Sequence, residues 1–63
     1  MSNHVELIRR VMGEYLEMPG LRLTEPQARR LCGMQPETCT EVLNALVQQQ
    51  FLTRTPDGAF VRQ

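Results

Sequence analysis

Three breaks constrain this chain more than any other feature: Pro19-Gly20, then Gly33 followed closely by Pro36, and finally Pro56-Asp57-Gly58. Proline cannot continue a helix and glycine favours turns, so each break ends one regular segment and begins the next. The pieces between them are short, and none approaches the length of a membrane-spanning helix or a signal peptide. With 63 residues in all, the expectation is a single domain over residues 1–63, built by packing a few brief elements together. A chain this short buries only about 60% of the surface its unfolded form exposes, so its core is thin.

Within the first piece, Val5, Leu7, Ile8, Val11, Met12, Tyr15, Leu16 and Met18 recur at steps of three and four, the pattern of an amphipathic helix from Asn3 to about Met18. Asn3 and Glu6 have the spacing of a capping box. Glu6, Arg10 and Glu14 are placed for ion pairs along the helix, each worth about 0.2–0.5 kcal/mol. The alternation Leu21-Arg22-Leu23 then suits a very short strand.

Thr24 and Gln27 form a second capping box, with Pro26 tolerated in the first turn, and Gly33 supplies the C-terminal turn. Ala28, Leu31 and Cys32 are expected to face inward from this brief helix. A third helix opens at Pro36, carries its apolar stripe on Cys39, Val42, Leu43, Leu46 and Val47, and ends near Gln50. Two strands follow, from Phe51 to Thr55 and from Ala59 to Arg62, joined by the Pro56-Asp57-Gly58 turn. The expected core centres on Ile8, Met12, Tyr15, Leu31, Val42, Leu43, Leu46 and Phe60.

This order of elements resembles bacterial winged helix-turn-helix domains from Leu23 to Arg62. The resemblance rests on Leu23-Thr24 opening the motif, Ala28, Leu31 and Gly33 around the turn, and Pro36 and Thr38 opening the next helix. Val42, Leu46, Phe51-Leu52-Thr53-Arg54 and Pro56-Asp57-Gly58-Ala59-Phe60 continue it. It implies an α+β fold, mainly helical, with three helices, a short strand after the first and a two-stranded C-terminal wing. Two positions depart from the pattern. Gln50 stands where the family usually has glycine, so a differently built cap is expected there, and Gln35 stands where a serine or aspartate commonly caps the third helix.

The resemblance implies a DNA-binding transcriptional regulator in which the third helix enters the major groove and the wing touches the backbone. Helical geometry points Glu37, Glu41, Asn44 and Gln48 outward, and Asn44 and Gln48 suit adenine while a glutamate accepts from cytosine. With Thr38 at the helix start, Arg29 and Arg30 on the second helix, and Arg54 and Arg62 on the wing, these are the candidate DNA-binding residues. Arg22 can also flank the third helix.

Charge argues for an alternative. Seven basic and seven acidic residues cancel, whereas dedicated nucleic-acid binders usually carry a basic surplus. All the basic residues are arginine, a bias that reads as genome composition. No basic residue lies on the outward face of the third helix, and the carboxylates Glu37 and Glu41 favour the alternative, a winged helix used for protein–protein interaction without DNA binding.

The shoulder Leu7, Val11 and Met18 is a candidate homodimer contact, as first helices provide in the family, or simply an edge of the core. Cys32 and Cys39 lack a usual zinc spacing. They read as small apolar residues, with a metal-sensing pair joined by His4 as the alternative. No catalytic constellation, cofactor motif or phosphate-binding loop is present, so an enzyme is not expected. A cytoplasmic location without a structural disulfide is expected.

Overall fold

The computed structural model describes residues 4–63. The elements run α1 (Val5–Glu17), β1 (Leu23–Thr24), α2 (Glu25–Cys32), α3 (Pro36–Gln48), β2 (Leu52–Arg54) and β3 (Ala59–Arg62). This is an α+β arrangement with the layout expected of a winged helix. No helix among the described residues is long and apolar enough to cross a membrane.

At the start of α1 the cap position is His4, which makes no side-chain cap hydrogen bond. The expected Asn3 cap lies outside the described residues. The Glu6–Arg10 and Arg10–Glu14 pairs do not close among the described residues. The helix ends as Pro19-Gly20 requires, with the Leu21 N–H returning to the Met18 carbonyl at 2.9 Å.

The first strand is Leu23–Thr24 rather than Leu21–Leu23. Its extent is set by its partner: Leu23 lies opposite Phe60 and Thr24 opposite Ala59 on β3. Arg22 leaves the ladder to pair with Asp57 in the wing turn. Thr24 is also the N-cap of α2. Its hydroxyl accepts from the Gln27 N–H at 3.4 Å, and its own N–H donates to Gln27 Oε1 at 2.9 Å. This closes the capping box legible in the sequence.

Helix α2 ends at Gly33, whose φ of 64° lies in the left-handed region. The Gly33 and Met34 N–H groups both return to the Arg29 carbonyl. Helix α3 ends in the same kind of turn, but with Gln50 at φ 64°. The Gln50 N–H donates to the Val47 carbonyl at 2.9 Å and the Phe51 N–H to that of Leu46 at 3.0 Å, the two bonds of a Schellman motif. The differently built cap expected at Gln50 is therefore not what the chain forms. Gln50 accepts a backbone conformation that costs a non-glycine residue about 1 kcal/mol, while Phe51 beyond it packs against the core.

The sheet order is β1-β3-β2, antiparallel throughout. At the wing turn, the Thr55 N–H donates to the Ala59 carbonyl at 2.8 Å and the Ala59 N–H to the Thr55 hydroxyl at 2.9 Å. Pro56-Asp57-Gly58 forms the loop between them, with Gly58 at φ 91°, as three-residue hairpin loops commonly require.

The core gathers Val11, Tyr15, Leu23, Ala28, Met34, Cys39, Val42, Leu43, Leu46, Leu52 and Phe60, with Leu7, Ile8, Met12 and Cys32 packed at its margin. Three expectations fail. Val11, assigned to an exposed shoulder, has no exposed surface, because it and Tyr15 one turn later mark the centre of the buried face of α1. Leu7 is half-buried and only Met18 of that shoulder is exposed, so Leu7, Val11 and Met18 do not form one dimer surface; Val5 and Leu16 are the other exposed apolar residues of α1. Leu31, assigned to the core, is 38% exposed, because α2 turns Ala28 toward the core instead. Ile8 and Met12 are half-buried rather than central.

Candidate nucleic-acid interface

Helix α3 is held from within by Cys39, Val42, Leu43 and Leu46, all of them buried. The period of the helix then dictates what faces water. Glu37, Glu41, Asn44 and Gln48 are all exposed, and their three- and four-residue steps align them in one stripe. From Glu37 to Gln48 that stripe is about 16 Å long, and an α-helix of this width fits the major groove of duplex DNA. Thr38, named with this group, is half-buried beside the stripe.

Two neighbours hold the N-terminal half of the stripe in place. His4 Nε2 hydrogen-bonds the Glu41 carboxylate across the sequence from the start of α1. The Thr40 hydroxyl donates to Glu25 Oε2 at 2.6 Å, tying the first turn of α2 to α3. Both contacts are long-range and neither is visible in spacing alone. Cys39 lies inward of them, its thiol donating to the Glu25 carbonyl at 3.6 Å. Burial pushes that thiol above its ordinary range, with the Glu25 carboxylate adding in the same direction.

The candidate arginines are distributed less simply. Arg29 is half-buried, and its Nε has no hydrogen-bond partner within the protein among the described residues. Arg30 is exposed on the flank of α2 turned away from Arg29 and Glu25, and so away from α3. On the wing, strand register decides. Arg54 lies opposite Phe60, and Arg62 lies opposite Leu52. Directly opposed residues share a face of the sheet, so both arginines rise from the side that carries Leu52 and Phe60 into the core. Arg54 lies over the Phe60 ring at 5.9 Å, and Arg62 lies over the Phe51 ring at 4.3 Å. Their charged ends emerge at the margin of that face and cover the aromatic rings. The signal was present in the two-residue spacing of Arg54 from Leu52 and of Arg62 from Phe60.

Cys32 and Cys39 are both free thiols. Among the described residues no group of three or more His, Cys, Asp or Glu side chains stands together to hold a metal ion. His4 instead serves Glu41.

The chain matches no family model, no curated protein and no solved structure.

Proposed function

We propose that this domain is a winged helix-turn-helix module of a transcriptional regulator, with α3 as the helix that reads duplex DNA. The observation that carries this reading is the exposed stripe on α3, on which the Asn44 and Gln48 side chains stand open to solvent. Either amide can make paired hydrogen bonds to adenine, and a glutamate can accept from cytosine N4. The His4 contact draws Glu41 toward α1 and softens one of the two carboxylates on that face. Arg29, Arg54 and Arg62 supply backbone contacts at the edges. The phosphate contacts of these three arginines, not the net charge of the chain, set the salt dependence of binding. Each phosphate neutralised contributes a slope of about −0.9 in log affinity against log salt.

The test is selection of a randomised duplex pool on the immobilised chain, followed by anisotropy titration of the enriched sequence. An adenine-containing motif should emerge, and Asn44→Ala or Gln48→Ala should each weaken its binding by about 1–3 kcal/mol. Both positions are exposed, so the fold is retained. A pool that stays random after selection overturns the reading. Self-association on DNA belongs to the same proposal and is read from the mass of the complex by light scattering.

One observation favours a second reading, a protein-interaction module. The α3 stripe carries Glu37 and Glu41 and no basic residue. Charge reversal at both positions separates the two. Glu37→Lys with Glu41→Lys strengthens binding to a polyanion, but abolishes capture of a basic protein partner.

A further inference from the structure

Beside the wing, β1 and α2 enclose an open cleft of about 350 Å³, lined by Arg22, Leu23, Gln27, Arg30 and Leu31. Its lining contains two guanidinium groups and no carboxylate. Asp57 of the wing turn steadies Arg22 at one side. Among the described residues no acidic side chain closes an ion pair with Arg30. The lining also holds Leu31, 38% exposed, and Leu23, 8% exposed. Gln27 Oε1 is committed to the Thr24 N–H in the capping box, which leaves its amide NH₂ as a donor.

We propose that this cleft docks a short acidic segment of a partner protein, with an apolar side chain resting on Leu31 and Leu23 and a carboxylate paired with Arg30. Three properties select that occupant. With Arg22 already paired to Asp57, Arg30 carries the uncompensated positive charge of the lining, so the ligand brings an anionic group to Arg30. The apolar floor adds nothing to a phosphate backbone, but it does stabilise a leucine- or phenylalanine-sized side chain. The mouth is open, whereas small-molecule pockets enclose roughly 70–90% of their ligand. An occupant here therefore brings its own covering surface, as a peptide segment does. The Gln27 amide supplies one hydrogen bond to the backbone of such a segment.

The cleft lies on the flank of α2 opposite Glu25 and Arg29, so its occupation leaves the α3 stripe accessible. The proposal therefore stands independently of what α3 binds.

The experiment selects a random phage-displayed peptide library against the whole chain, then titrates the enriched peptide into isotope-labelled protein followed by NMR. Expected are sequences with Asp or Glu beside a large apolar residue, and shifts at Leu23, Gln27, Arg30 and Leu31. Arg30→Glu and Leu31→Ser should each weaken the peptide by about ten-fold or more. Both residues are exposed, and circular dichroism checks that the variants fold. Asn44→Ala should leave peptide affinity unchanged, which separates this outcome from any failure of DNA binding. The proposal is overturned if no acidic-apolar motif is enriched, or if the enriched peptides shift other surfaces. It is equally overturned if a short DNA duplex displaces the peptide from Arg30 and Leu31, which assigns the cleft to nucleic acid.

Discussion

The Tyr15 hydroxyl donates a 2.7 Å hydrogen bond to the backbone carbonyl of Phe60, 45 residues away and fully inside the protein. This contact joins the last turn of α1 to the central strand of the sheet. The Tyr15 ring also meets Phe51 edge-on, with centroids 6.4 Å apart. One side chain thus ties together the first helix, the wing and the turn after α3.

Tyr15→Phe keeps the ring and deletes the bond, leaving a buried carbonyl short of its donor. The expected loss is about 1–3 kcal/mol, read as a lower urea midpoint with unchanged slope.

Alkaline pH should destabilise the fold. Burial pushes the Tyr15 phenol above its ordinary 10.0 and the Cys32 and Cys39 thiols above their ordinary 9.0. The folded state then holds protons that the unfolded chain has already released. Stability is therefore complete below about pH 9 and falls as pH rises through the raised values. Denaturation midpoints measured from neutral to strongly alkaline pH check this, and Tyr15→Phe should flatten the upper part of the decline.

The two left-handed helix ends give opposite outcomes. Gln50→Gly relieves strain and should stabilise the protein by about 0.5–1 kcal/mol. At Gly33, a Cβ would meet nothing within 4 Å, so Gly33→Ala costs only the backbone strain, about 1 kcal/mol. Thermal unfolding of the two variants should move in opposite directions.

Gln35 has the extended backbone of a cap, at φ −76° and ψ 159°, but no capping hydrogen bond. Gln35→Asp or Gln35→Ser should raise stability by about 0.5–1 kcal/mol through the amides of the first turn of α3. A midpoint that stays put or falls contradicts this.

Removing the guanidinium over Phe51 in Arg62→Ala should cost about 0.5–1 kcal/mol of stability. Arg54→Ala, with its guanidinium farther from its ring, should cost less. A duplex that binds both variants as tightly as the parent chain removes the wing arginines from the DNA contact.

Element order was readable because turn chemistry is local. Thr24, Gln27, Gly33, Pro36 and Gly58 each act within a few residues of their own position, and the structure places every one where that chemistry requires. The centre of an apolar face is a different kind of fact. Val11 and Leu31 both satisfy a helical period, and only the position of the neighbouring helices and sheet puts one inside and leaves the other in water. The outward stripe of α3 was legible for the same reason as the turns, since its period and its buried residues lie on one helix. What holds it, His4 on Glu41 and Glu25 on Thr40, depends on contacts between segments far apart in the chain. The β1–α2 cleft has the same origin, because Arg22 reaches Asp57 only once the hairpin has folded back on β1.

Thr24 belongs to two elements at once, paired with Ala59 in the sheet and capping α2 with its hydroxyl. No slack exists between the strand and the helix. A force applied at the hairpin reaches the first turn of α2 through Leu23 and Thr24, and passes from Glu25 to Thr40 on α3. The wing is consequently not a free flap but a lever rigidly keyed to the helices, and amide exchange in the hairpin and at the start of α2 should occur in one shared opening event.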